Sequence, residues 1–337
     1  MALKAGAIRF NTDTNQLEIW DGNQWTGILA TSPELQTGDG RGVFFGGAPS
    51  NNAQIDYINI SSTGNARDFS DMAGSRVQGA AAGSNTRGLY AGGEVPSIVN
   101  TIEFITFSSQ GTDAQDFGDM VTNQYRRMNG MGCGNQTRAL FSGGYTGSAT
   151  SNHIDYVTIA QTGNAVDYGD LTVQRESGAC CASQTRGIIS NGRSQPANVA
   201  IGSIDYVTIS TTGNASDFGD LTVTRFSTQA CSNSTRGLIF GGSTGNPSPS
   251  NSDVIDFITI PTLGDATDFG NLIAAIQYPL GAVSSPVRAI CAGGLTPSVQ
   301  NVIQYVQIMS TGNARDFGDL TGAKSEASGC SNSHGGL

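Results

Sequence analysis

Three residue types recur in this chain at spacings that invite a chemical reading. An arginine followed by glycine or alanine stands at Arg41, Arg87, Arg138, Arg186, Arg236 and Arg288. An acidic run stands at Asp68-Phe69-Ser70-Asp71, Asp116-Phe117-Gly118-Asp119, Asp167-Tyr168-Gly169-Asp170, Asp217-Phe218-Gly219-Asp220, Asp268-Phe269-Gly270-Asn271 and Asp316-Phe317-Gly318-Asp319. Guanidinium groups and paired carboxylates can make ion pairs, calcium sites or acid–base pairs. Six copies of each point to structural use: the Asp as acceptor in a tight turn, the Arg as an inter-repeat clip onto a recurring Asp. Calcium held by the clustered Asp and Asn oxygens is the alternative. The chain has two histidines, His153 and His334. A Ser–His–Asp set or a histidine metal centre is hard to assemble from them. Cys133, Cys181 and Cys231 each stand five residues before their anchor arginine, and Cys330 holds a similar place. That position suits a small buried residue, so free thiols, no metal and no cofactor are expected.

The elements that carry these residues repeat roughly every 50 residues, the range of propeller blades and solenoid arrays. Segments such as Ile154-Asp155-Tyr156-Val157-Thr158-Ile159 are β-branched and aromatic and read as strands, nearly apolar on both faces, flanked by Gly, Asn and Ser. Leu238-Ile239-Phe240 before Gly241-Gly242 is another. Each period reads as four short strands. The array starts mid-blade at Arg41, and residues 324–333 match the first strand of the other periods. The expected fold is therefore all-β: a six-bladed propeller over residues 41–337, closed by its C-terminal strand. His334-Gly335 reads as a degenerate echo of the Arg-Gly anchor.

Residues 1–30 stand apart. Alternating apolar residues, a polar turn and an Asp-Gly predict a small β-meander there. It is too short to hide Ile8, Phe10, Leu17, Ile19, Trp20 and Trp25 by itself. Those six are the candidate attachment residues, expected to pack on another chain, with homo-oligomerisation (a trimer) among the outcomes. Residues 31–40 read as a linker. No signal-peptide h-region and no run of membrane-spanning length are apparent, so no membrane insertion is expected. A net charge of -10, with 13% charged residues, argues against a nucleic-acid partner.

The two faces of a propeller should differ. The turns joining first to second and third to fourth strands are monotonous, with Ser-Asn-x-Thr-Arg-Gly and Thr-Gly-Asn-Ala recurring. The loops joining second to third and fourth to first strands vary in length and content. Binding residues tend to sit on varied loops of a rigid scaffold, and exposed Tyr and Arg are favoured contacts. The candidate binding residues are Tyr125, Arg126, Arg127, Tyr145, His153, Arg193 and Tyr278.

The order of a basic residue, a small-residue strand, a strand ending in Gly-Gly, a variable loop and an aromatic strand resembles the kelch repeat. The resemblance covers about residues 41–334. It departs where the usual late Trp is missing and where Asn191-Gly192 replaces Gly-Gly. Asp-Phe-Gly-Asp looks like a kinase magnesium motif, but the rest of that motif set is missing. The copper oxidases built on kelch-like propellers need more histidines than this chain has. The repeats also resemble arrays in virion proteins of marine bacteriophages, and residues 6–28 resemble short β-motifs of tail-fibre and baseplate proteins. These resemblances imply a non-enzymatic virion protein of a phage tail or fibre. Its partners would be other virion proteins through residues 1–30 and a host-surface glycan or protein. The alternatives are a cellular or secreted kelch-like module for protein or glycan, and a propeller glycan hydrolase with a paired acid and nucleophile.

Overall fold

The repeats fold as six four-stranded antiparallel sheets, here called blades 1 to 6 and written from the innermost strand outward. The computed structural model describes residues 4, 6–11, 16–20, 22–27, 40–49, 52–121, 130–244 and 250–337, with the backbone alone for residues 10, 11, 16, 17, 26, 27 and 95. Blade 2 is Ala80–Gly83, Arg87–Ala91, Thr101–Thr106 and Gln115–Asp119. Blade 3 is Gly132–Gly134, Arg138–Ser142, His153–Thr158 and Val166–Asp170. Blade 4 is Ala179–Ala182, Arg186–Ser194, Val199–Thr208 and Ser216–Asp220. Blade 5 is Gln229–Ser232, Arg236–Phe240, Ser252–Thr259 and Thr267–Ile276. Blade 6 is Gly281–Ser284, Arg288–Ala292, Val302–Gln307 and Arg315–Asp319.

Blade 1 is completed from both ends of the array. Its innermost strand, Ser328–Ser331, pairs with Arg41–Phe45, which is followed by Gln54–Asn59 and Arg67–Asp71. The innermost strands touch one another in a closed circle, blade 1 meeting both blade 6 and blade 2. The fold is thus a six-bladed β-propeller, with no helix among the described residues. The chain divides into two compact units, Met1–Gly38 and Asp39–Leu337. The first holds a three-stranded antiparallel sheet of Ile8–Asn11, Gln16–Trp20 and Trp25–Gly27.

The third strands are less apolar than the sequence suggests. A register shift against the fourth strand falls just before the same position in every blade. Such a bulge re-aims one side chain. That residue is Asp56, Glu103, Asp155, Asp205, Asp256 or Gln304, and all six are buried. In four blades a buried cation from the segment entering the first strand meets the acid. Lys324 lies 3.2 Å from Asp56, Arg76 2.7 Å from Glu103, Arg175 3.2 Å from Asp205 and Arg225 2.8 Å from Asp256. Burial pushes the Asp256 carboxyl up and the Arg225 guanidinium down, and each partner opposes the other's shift.

Candidate functional site

One face of the disc is consumed by contacts between blades. Each Thr-Gly-Asn-Ala turn, or its variant, caps the outer strand of the preceding blade. Gly163 and Ala165 donate their backbone N–H groups to the carbonyls of Phe117 and Asp119, and Asn164 Oδ1 accepts from the Asp119 N–H. The same three bonds recur at every interface, with Asn65, Asp113, Asn214, Asp265 and Asn313 in the acceptor role. Polar groups that an outer strand would leave open are satisfied in this way. In five blades the glycine of the acidic run approaches the next turn so closely that a Cβ would sit 2.5 Å from backbone. In blade 1 that residue is Ser70. The turn it faces, Gly111-Thr112-Asp113-Ala114, is the one that departs from the common order.

The anchor arginines clip the same interfaces, but onto a backbone carbonyl of the next blade rather than an Asp. Arg41 donates to Phe107, Arg87 to Ile159, Arg138 to Ile209, Arg186 to Ile260, Arg236 to Ile308 and Arg288 to Ile60, at 2.6–3.3 Å. Each guanidinium also lies 4.6–5.4 Å over the aromatic ring of its own third strand. That ring meets the aromatic of the acidic run edge-on at 5.9–6.2 Å. A carbonyl suits this place better than an Asp, because the guanidinium keeps a partner without a second desolvated charge.

A cavity of about 40 Å³ runs along the axis, lined by the innermost strands and by Cys133, Cys180, Cys181, Cys231, Cys330 and His334. The inner-strand residues nest against glycines of the next blade. A Cβ at Gly88 would lie 2.9 Å from Cys330 Sγ, and one at Gly237 2.6 Å from Cys181 Sγ. All six cysteines are free and buried. Burial raises the Cys231 thiol to about 12 and holds Cys181, Cys291 and Cys330 still higher. Such thiols are unreactive packing groups. Among the described residues no group of three His, Cys, Asp or Glu is placed to hold a metal ion.

His334 does not repeat the Arg-Gly anchor. Residues 332–337 instead fold across the end of the axis on the uniform face. His334 Nε2 lies 2.8 Å from Gly83 O and its Nδ1 3.1 Å from Gly336 N. A carbonyl only accepts and an amide N–H only donates, so Nε2 carries the proton and the ring is neutral. Gly335 N–H donates to Ser232 O, Ser333 Oγ to Ser284 O and Gln184 Nε2 to Leu337 O. One short segment thereby touches blades 2, 4, 5 and 6.

The opposite face carries the varied loops, and the predicted binding residues are spread over it. Tyr125, Arg126 and Arg127 fall outside the described residues. Tyr145, in blade 3, is half-buried, and its hydroxyl donates to Gly147 O. His153 opens the third strand of the same blade, with Nδ1 3.8 and 3.7 Å from the Asp167 and Asp170 carboxylates. Arg193, in blade 4, is held by Glu176 at 3.0 Å and by Asn198, and it lies 4.8 Å over the Phe226 ring of blade 5. Its charge therefore orders the loops. Tyr278 enters blade 6 half-buried, with φ 50°. These four are spread over blades 3, 4 and 6. In the N-terminal sheet Ile8 is 61% exposed. Ile19, Trp20 and Trp25 are partly exposed, and the two indoles lie 5.5 Å apart. The side chains of Phe10 and Leu17 lie outside the described ones.

The sequence reading missed a ring of left-handed residues around the axis on the varied face. Gln78, Ser177, Ser227, Tyr278 and Glu326 hold φ between 50° and 59°. Ser227 N–H donates to Ser177 O, Tyr278 to Ser227, Glu326 to Tyr278 and Gln78 to Glu326. Position gives the signal: four of the five stand two residues after the cation that meets the buried acid, Arg76, Arg175, Arg225 or Lys324. The five positions carry Gln, Ser, Ser, Tyr and Glu, so no motif marks them. No family model matches the chain, and no curated protein is significantly similar to it.

Proposed function

We propose that this is a non-enzymatic virion protein of a bacteriophage tail or fibre. The propeller is its adhesion or interaction module, and residues 1–30 attach it to other virion proteins. The carrying observation is the asymmetry of the disc. On one face the recurring Arg, Asn and Asp groups are spent on holding blades together. On the other, loops of different length stand on that scaffold, where contact residues are best placed. The resemblance of the repeats to kelch arrays and to marine phage virion proteins supports the same reading. So does an N-terminal sheet that leaves Ile8 and part of both tryptophans open to a partner.

A chain starting at residue 31 tests the attachment. It is expected to keep the melting temperature of the propeller and to be missing from assembled particles. Normal incorporation of that truncated chain would refute the reading.

A further inference from the structure

Three members of the left-handed ring differ from the rest. Ser177 and Ser227 are buried, whereas Tyr278, Glu326 and Gln78 are large, polar and half-exposed. They come from blades 6, 1 and 2, which are consecutive, and their backbones are hydrogen-bonded in series. Gln78 Nε2 donates to Glu326 Oε2 at 2.7 Å. Glycine is the residue that adopts this backbone without strain, so each position keeps a side chain against a conformational cost. Strain kept where a neutral replacement exists points to use of the side chain.

Gln229 of blade 5 crosses toward the axis, donating to Ala327 O of blade 1 and lying against Gly130 of blade 3. Blade 4 stands opposite blade 1. Its second and third strands, Arg186–Ser194 and Val199–Thr208, run as one continuous hairpin where blades 2 and 6 carry separate short hairpins, Glu94–Val95 with Ser97–Ile98 and Leu295–Thr296 with Ser298–Val299.

We infer that Tyr278, Glu326 and Gln78 form a binding site for a neutral sugar residue at the axis of the varied face. A tyrosine ring offers an apolar surface to the C–H face of a pyranose. A carboxylate and a carboxamide supply acceptors and donors for neighbouring hydroxyls. The Glu326 carboxylate and the net charge of -10 disfavour an anionic ligand. The inference rests on the adhesion reading above and gives it a ligand class.

The test is to pass the full chain over immobilised neutral hexose and N-acetylhexosamine oligosaccharides, with sialylated ones as comparator. The neutral set should retain the protein. Tyr278→Gly should lose at least tenfold in apparent affinity while melting at or above the parent temperature, because it relieves the left-handed strain. Glu326→Gln, which keeps an acceptor for Gln78, should also lose binding, while the uniform-face control Gln161→Ala should not. No retention on neutral glycans, or full retention by Tyr278→Gly and Glu326→Gln, overturns the site. A chain that adheres to host cells but ignores every neutral glycan sinks this inference and leaves the adhesion reading standing. Glycan binding through Tyr278, with normal particle incorporation of the residue-31 chain, does the reverse.

Discussion

The buried ion pairs show what single residues contribute. Arg225 and Asp256 are both fully buried, and Arg225 also donates to Val254 O at 2.8 Å. Removing one partner strands the other charge away from water, at a cost of about 3–5 kcal/mol. Arg225→Ala should therefore lower the melting temperature sharply. The joint change Arg225→Met with Asp256→Leu removes both charges and keeps the volume, so it should recover most of that loss. A double variant as unstable as Arg225→Ala would show that these pairs hold the fold by direct attraction. The anchor arginines are a different case. Each makes a charge-assisted bond and a ring contact at a half-exposed seam, worth on the order of 1–2 kcal/mol. Their value lies in repetition at all six seams. The sequence marked these residues as structural, but it could not name the partner. A carbonyl carries no letter, so Ile159 O and Ile209 O are invisible in a residue pattern.

At the scale of elements, the segment over the axis has a built-in pH response. Burial holds the His334 imidazole below its usual value of 6.5. The unfolded or undocked segment then binds a proton more readily than the docked one. Stability from docking is present above pH 6.5 and falls as pH drops from 6.5 toward the depressed folded value. Protonation at Nδ1 also turns the acceptor of the Gly336 N–H bond into a donor. His334→Gln has no such titration, so the melting temperature of the parent should fall relative to this variant between pH 6.5 and 5. Parallel pH curves for the two proteins would contradict the docked, neutral imidazole. The turn-to-strand clip was partly legible, since Thr-Gly-Asn-Ala and Asp-Phe-Gly-Asp recur together. The reason for their co-occurrence needs the third dimension. The glycine of one blade gives room to the turn of the next, and Ser70 with its altered partner turn is the exception that fits.

At the scale of the molecule, six blades, the split first blade and its closure by residues 328–331 were readable from two markers and an orphan first strand. Periodicity reports neighbours in the chain, and a ring needs only one further pairing, Ser328–Ser331 on Arg41–Phe45. What periodicity cannot report is the axis, where all blades meet. The cap of residues 332–337, the Gln229 crossing and the left-handed ring all lie there. Each depends on residues far apart in sequence, and none repeats cleanly. The same logic divides the faces: repetition marks the surface that binds blade to blade, and variation marks the surface proposed here to meet other molecules. The most direct test compares host-cell adhesion of two face-specific variants of the full chain. Tyr145→Ala with Tyr278→Gly alters the varied face, and Gln161→Ala with Thr162→Ala alters the uniform face. Loss of adhesion in the first pair with parent-like adhesion in the second is the predicted result. Adhesion lost only in the second pair, with both proteins folded, would contradict the assignment of faces.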